Sequence, residues 1–291
     1  MSVSLPKQIA ILGPGLLGGS LLMALREKIP GVHLRAWARR AEAVDAIAAR
    51  NLADVTSTDL KTVLDGADFV VICTPVETMA DLANKMTQTS MQEGCVITDV
   101  GSVKGTVVSA LDEAFLQTSF HFVGCHPMAG SERAGLEAAR SDLFQQQACI
   151  LTPTTFTDPT ALEITRTFWR LLGCRLLEMS PPDHDRTVAR ISHLPRLGAA
   201  VIAQAALQDD QNVVSSIGNG FRDTTRVAAG DADLWTGIVM ENRSEVLAAV
   251  RDARDRFSEL VAILENVDEV SLRRFLSEAK TLRDTVPPCL R

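Results

Sequence analysis

Between an apolar run, Gln8–Gly13, and a stretch of helical periodicity, Leu16–Lys28, the chain reads Gly13-Pro14-Gly15-Leu16-Leu17-Gly18. A G-x-G-x-x-G turn joining a strand to a helix constrains the fold more than any other feature of these 291 residues. Its first glycine permits a tight turn, its second lets the backbone approach a pyrophosphate, and its third lets helix and strand pack closely. The pyrophosphate then rests on a helix N-terminus, where free N–H groups and the helix dipole favour an anion. Gly13, Gly15, Leu16, Leu17 and Gly18 are therefore candidate cofactor-binding residues. Thr74 and Pro75, closing the strand-like run Phe69–Pro75, join them.

The rest of the first half repeats the same rhythm. Strand-like runs at Gln8–Gly13, His33–Trp37, Phe69–Pro75, Cys95–Val100, His121–Cys125 and Gln147–Pro153 enclose helical stretches at Leu16–Lys28, Ala41–Arg50, Val76–Thr89 and Lys104–Leu116. Continuous apolar strands alternating with helices imply a parallel sheet covered on both faces. One more helix, Ala161–Leu172, and one more strand, Cys174–Met179, follow. After Pro181-Pro182 the strand signals cease, and helical patterns run Asp183–Leu207, Asn212–Ala229, Leu234–Leu264 and Val270–Asp284. The reading is an α/β protein: a Rossmann-type dinucleotide-binding domain over residues 1–181, then an all-helical domain over residues 182–291. The run from Leu234 carries Leu247, Val250, Phe257, Val261 and Leu264 at three-to-four spacing. A helix that long rarely buries its stripe alone, so a homodimer interface is expected there.

Net charge is −7, with 46% hydrophobic and 22% charged residues. This argues against a nucleic-acid or anionic-membrane partner held by bulk charge, and leaves room for a local basic pocket. No apolar run approaches the roughly 18–20 residues that span a bilayer. No signal-peptide core is seen, so a cytoplasmic location is expected. The six cysteines (Cys73, Cys95, Cys125, Cys149, Cys174 and Cys289) form no C-x-x-C pair. They read as core packing, with no metal site and no disulfide framework.

The end of the second strand selects the cofactor. An NAD site usually has an acid about 20 residues beyond the glycine loop, bonded to the ribose hydroxyls. Here the chain reads Ala36-Trp37-Ala38-Arg39-Arg40. The acid is missing, and Arg39 and Arg40 can pair with a 2′-phosphate. NADP is favoured, with NAD possible.

Four further segments carry chemistry. Gly124-Cys125-His126-Pro127-Met128-Ala129-Gly130-Ser131-Glu132 places a histidine just beyond a short strand, held by a rigid turn and exposed where open α/β sheets bind ligands. Asp99-Val100-Gly101-Ser102-Val103-Lys104 ends a strand and starts a helix. Ser192-His193-Leu194-Pro195-Arg196 lies mid-helix, where proline would kink the chain. Gly220-Phe221-Arg222-Asp223-Thr224-Thr225-Arg226 precedes Trp235.

Through the glycine loop, Asp99–Lys104, His-Pro-Met-Ala-Gly at 126–130, Ser-His-Leu-Pro at 192–195, and Arg226 with Trp235, nearly the whole chain resembles the prephenate and arogenate dehydrogenases of tyrosine biosynthesis. The resemblance implies oxidative decarboxylation of a cyclohexadienol. A hydride leaves the carbon bearing the ring hydroxyl for the nicotinamide, a base takes the hydroxyl proton, and the ring carboxylate departs as carbon dioxide. It further implies that His126 is the base and Ser102 orients it, while Arg226 holds a substrate carboxylate. Glu132 and Asp223 would belong to an ionic network at the pocket mouth, Trp235 would reach a neighbouring subunit's site, and His193 would hydrogen-bond in the pocket. One position departs: many relatives read Ser-His-Leu-Pro-His, whereas residue 196 is arginine. An added cation at the side-chain end favours the keto acid prephenate over zwitterionic arogenate, although NADP use in the family often accompanies arogenate. A β-hydroxyacid-type dehydrogenase would normally place a lysine in the helical half, and none occurs between Asp183 and Asn266. A non-catalytic NADP-binding sensor would need the glycine loop without His126, Ser102, His193 and Arg226.

Overall fold

The computed structural model describes residues 5–131, 133–208 and 211–287. Its strands are β1 (Gln8–Leu12), β2 (His33–Trp37), β3 (Val55–Ser57), β4 (Phe69–Ile72), β5 (Val96–Asp99), β6 (His121–Pro127), β7 (Ala148–Thr152) and β8 (Arg175–Glu178). The helices begin with α1 (Leu16–Lys28), α2 (Ala41–Ala49), α3 (Leu60–Leu64), α4 (Met79–Met86), α5 (Gly105–Phe115) and α6 (Pro159–Leu171). They continue with α7 (Pro181–Val188), α8 (Leu194–Leu207), α9 (Asn219–Thr225), α10 (Ala232–Glu241), α11 (Arg243–Glu265) and α12 (Glu269–Asp284).

The eight strands form one sheet in the order β3-β2-β1-β4-β5-β6-β7-β8. The chain starts at β1, builds outward to β3, then crosses to β4 and builds the other way. The reversal between β1 and β4 opens a crevice at the strands' carboxyl ends, where a doubly wound sheet takes its ligand. Successive residues of β1 face opposite cores. Ile9 and Ile11 pack with Leu21, Leu22, Leu25, Phe69, Phe168 and Trp169. Ala10 and Leu12 pack with Val70, Ile72, Met79, Ile97 and Leu111. Burying each large side chain contributes about 1.5–3 kcal/mol, which explains why both faces need apolar residues and the strands read as unbroken runs.

Four details depart from the sequence reading. The short β3 and α3 were not anticipated. β7 runs antiparallel to β6, pairing Gly124 with Thr152 and Pro127 with Cys149, so the sheet is not wholly parallel. The helix expected over Leu234–Leu264 is two helices, divided at Asn242. Asn212–Ala229 is likewise interrupted, with 3₁₀ turns at Gln211–Ser216 and Arg226–Ala229 flanking α9. Cys73, Cys95, Cys125, Cys149 and Cys174 are free thiols, all buried except half-buried Cys73, while Cys289 lies outside the described residues.

Residues up to Arg243 form one compact unit, and those from Ser244 on form a second. The first extends past 181 because α7 is tied to α5 through Asp185, and Asn242 is tied to Asp185. The second holds α12 and nearly all of α11. On α11, Leu247, Val250, Phe257, Val261 and Leu264 are exposed. Among the described residues, no helix is long and apolar enough to cross a membrane.

Candidate active site

The cofactor loop has the shape its glycines permit. Gly13 adopts φ +93°, and a Cβ there would come within 3.0 Å of the Cys73 carbonyl and of the Thr74 side chain. A Cβ on Gly18 would stand 2.5 Å from the Gly13 carbonyl oxygen. Gly15 faces open space, with nothing within 4 Å of its would-be Cβ. Two glycines are thus demanded by the turn, and the third leaves a cradle a phosphate can enter. No acid occupies the first turn of α1, so nothing there opposes an anion. Leu16 and Leu17 pack against the core beneath the loop. Across the β1–β4 crevice, the Thr74 hydroxyl is buried with no hydrogen-bond partner among the described residues, beside exposed Pro75. These features fit a dinucleotide. Arg39 and Arg40 are exposed at the end of β2, with no carboxylate paired to either among the described residues.

His126 stands inside β6 and is only 6% exposed, a correction to the exposed turn position read from sequence. The strand continues through Pro127, and Met128 N–H still donates to the Ala148 carbonyl at 2.7 Å. Beneath it lies a fully buried ion pair between Asp99 and Lys104. Asp99 also accepts from Cys125 N–H at 2.9 Å and Gly101 N–H at 2.8 Å, fixing the ends of β5 and β6 together.

The side chain that meets His126 is His184, whose Nε2 lies 2.8 Å from His126 Nδ1. His184 Nδ1 lies 2.8 Å from Asp185 Oδ1. The Ser102 hydroxyl, expected to orient His126, is half-buried and makes no hydrogen bond among the described residues. Neither His184 nor Asp185 was singled out from sequence. Ser180 and the following prolines mark a helix start, and only the fold brings position 184 to position 126.

Burial holds His126 well below the usual histidine pKa, and a positive charge on His184, Lys104 or His193 lowers it further. Burial also lowers His184, opposed by its bond to Asp185. These imidazoles are neutral at pH 7, the state a proton acceptor needs.

The second histidine motif closes a π-helical turn, Ala189–His193, ahead of α8. Pro195 has no N–H to give an α-helical ladder, and it sits in the first turn of α8, just after the widened turn. His193 is fully buried, and burial lowers its pKa to about 4. Its orientation is set by Asn242, which sequence reasoning missed. The Asn242 amide nitrogen donates to the Asp185 carbonyl at 2.8 Å and lies 3.3 Å from His193 Nδ1. Since that nitrogen can only donate, His193 Nδ1 accepts and Nε2 carries the hydrogen. Nε2 is buried without a hydrogen-bond partner among the described residues, a donor free to meet a ligand.

Arg196, 8% exposed, stacks over Trp235 with its guanidinium carbon 4.8 Å from the ring centroid. No carboxylate pairs with it among the described residues. It lies so close to Gly230 that a Cβ there would stand 2.5 Å from Nη1. His193 meets the same tryptophan edge-on at 6.1 Å. Trp235 thus gathers His193 and Arg196 of its own chain into one cluster. Arg226 and Asp223 are exposed around the end of α9, and Glu132 lies outside the described residues.

A buried neutral imidazole in the sheet that carries a dinucleotide cradle, together with a donor and a cation unpaired among the described residues, suits oxidation of an anionic alcohol. Comparison with known proteins agrees. Residues 21–178 match the family profile "Prephenate dehydrogenase, nucleotide-binding domain", and residues 180–278 match "Prephenate dehydrogenase, dimerization domain". The chain is 30% identical to prephenate dehydrogenase of Bacillus subtilis, over 96% of this chain and 76% of that one. It is 32% identical to cyclohexadienyl dehydrogenase of Zymomonas mobilis, over 83% of each. The structure of prephenate dehydrogenase from Aquifex aeolicus with hydroxyphenyl propionate and NAD+ superposes with a TM-score of 0.90 at 30% identity, covering 99% of this chain and 100% of that one. From the cradle at Gly15 to the unpaired Arg196, with two profiles spanning both halves, the chain belongs to the prephenate dehydrogenase family.

Proposed function

We propose that this chain oxidises prephenate to 4-hydroxyphenylpyruvate and carbon dioxide, using NADP in preference to NAD. The observation that carries the reading is the juxtaposition of a neutral proton acceptor, His126, with His193 and the unpaired Arg196 on Trp235. The relative from Aquifex aeolicus, solved with hydroxyphenyl propionate and NAD+, supports a ligand of this shape in the same fold.

His126 takes the proton of the ring hydroxyl at Nε2, the ring nitrogen left over by His184. A nicotinamide held at the Gly13–Gly18 loop would supply the hydride acceptor for the carbon bearing that hydroxyl. The ring carboxylate then leaves as carbon dioxide, and its bonding electrons complete the aromatic ring. Arg226 holds a substrate carboxylate through its forked donors, and Asp223 and Glu132 shape the ionic surround of the pocket mouth. His193 donates from Nε2, and Arg196 attracts the anionic side chain. Ser102 serves at the cofactor side of His126. Along the sequence the nucleotide-binding and helical regions divide at 181–182, although the first compact unit runs on to Arg243. The chain acts as a homodimer through the exposed apolar stripe of α11, in keeping with the match to a dimerization domain.

Steady-state assays with prephenate or arogenate, and with NADP or NAD, test this reading. Prephenate with NADP is expected to give the highest kcat/KM. Changing both Arg39 and Arg40 to alanine removes the charged contacts to the 2′-phosphate, worth about 1.5–3 kcal/mol. KM for NADP then rises roughly 10- to 100-fold, while KM for NAD stays near wild type. Equal effects on the two cofactors contradict the assignment of Arg39 and Arg40.

A further inference from the structure

We propose that Asp185, acting through His184, fixes the tautomer of His126 so that its Nε2 carries the lone pair toward the substrate. This rests on His126 being the base, and adds what makes it one.

The assignment follows from donors that cannot change. Asp185 Oδ1 accepts from the backbone N–H of Lys104 at 2.8 Å, and Oδ2 from that of Gly105 at 2.7 Å. Both donors open α5, where a carboxylate is also favoured by the helix dipole. A peptide N–H only donates, so both oxygens of Asp185 accept; against the penalty of burial, the bonds from His184, Lys104 and Gly105 hold its pKa below the usual carboxylate value, and the group is an ionised carboxylate. His184 Nδ1, 2.8 Å from Oδ1, must then bear a hydrogen. In a neutral imidazole this leaves His184 Nε2 bare. The bare atom lies 2.8 Å from His126 Nδ1, which must donate to it. His126 Nε2 is left with the lone pair. Among neutral rings, no other assignment gives each of these contacts one donor and one acceptor.

The framework that holds this order is rigid. Asp185 is gripped at its carboxylate by α5 and at its carbonyl by Asn242, so neither end of the residue is free to turn. Lys104 contributes its backbone N–H to Asp185 and its side chain to Asp99, which in turn anchors β6 through Cys125 N–H. The start of α5 thus locks the carboxylate and the strand bearing His126 in one arrangement. During turnover the substrate O–H bond breaks and an N–H bond forms at His126 Nε2. The resulting cation lies in line with His184 and the Asp185 carboxylate, and no second proton transfer is required. His184 and Asp185 are positioning residues: they touch the base and not the substrate.

The test uses the full chain with prephenate and NADP. In wild-type protein labelled with ¹⁵N at both histidine ring nitrogens, His126 is expected to show a protonated Nδ1 and a bare Nε2. A protonated Nε2 with a bare Nδ1 overturns the proposal, whatever the variants do. His184→Leu removes the acceptor for Nδ1–H, and kcat is expected to fall about 10²-fold with KM for prephenate within twofold. In His184→Gln, the amide oxygen can accept from His126 and the amide nitrogen can donate to Asp185. This variant keeps the tautomer and is expected to recover most of the lost kcat. If His126→Asn is inactive while His184→Leu keeps wild-type kcat and pH profile, the relay is wrong and the base stands. If His126→Asn keeps near-normal kcat, the underlying reading fails instead.

Discussion

Replacing His126 by asparagine lowers kcat for prephenate by roughly 10²–10⁴-fold, the usual worth of a positioned base. Asparagine matches the imidazole in reach and can still hydrogen-bond to His184, so the strand and the cofactor cradle are preserved. Affinity for NADP therefore stays near wild type. The pH profile gives a second reading. Burial holds His126 well below 6.5, so the neutral ring persists as pH falls through that value. The acid limb of the wild-type rate accordingly lies below pH 6.5, and it disappears in His126→Asn. A limb centred at or above 6.5, or an asparagine variant with near-normal kcat, contradicts the assignment.

Arg196→Gln lowers kcat/KM for prephenate by about 10- to 100-fold, matching the roughly 1.5–3 kcal/mol of a hydrogen bond to a charged group. The reasoning begins with burial. A guanidinium 8% exposed and without a carboxylate partner among the described residues is costly unless a ligand supplies the anion. Its central carbon lies over the Trp235 ring, a position in which the weakly hydrated, planar cation is favoured over ammonium. Arg196→Lys keeps the charge but loses the stacked fork, and an intermediate loss is expected. Arogenate carries an ammonium beside its carboxylate, so its smaller kcat/KM falls less and the preference for prephenate narrows. Equal losses for both substrates would remove Arg196 from side-chain selection.

Much of this architecture is legible in the sequence because the physics is local. Gly13 and Gly18 are fixed by a turn that admits no Cβ, and the β1 and β4 runs are apolar because both their faces are buried. The direction of β7 is different. Its composition suits either orientation, and the clue is the connection: among the described residues, Met128 to Gln147 contains one 3₁₀ turn, Leu136–Ala138, and no crossover helix of the kind a parallel return needs. Asn242 interrupts a helical pattern that its own propensity does not forbid; the break is set by its bonds to Asp185 and His193. The orientation of His126 is a tertiary property throughout. Ser102 lies in a recognisable motif, yet the ring bonds to His184, 58 residues away, and no spacing rule joins the two. Arg196 shows the reverse: a single departure in a motif flags the position, and the structure supplies the burial and stacking that give it meaning.

The most direct test of the central claim is the stoichiometry of a single reaction with purified chain, NADP and prephenate labelled with ¹³C in the ring carboxylate. Oxidative decarboxylation at His126 predicts one labelled carbon dioxide and one 4-hydroxyphenylpyruvate for each reduced cofactor formed. Cofactor reduction without release of labelled carbon dioxide, or no turnover of prephenate with either NADP or NAD, contradicts it.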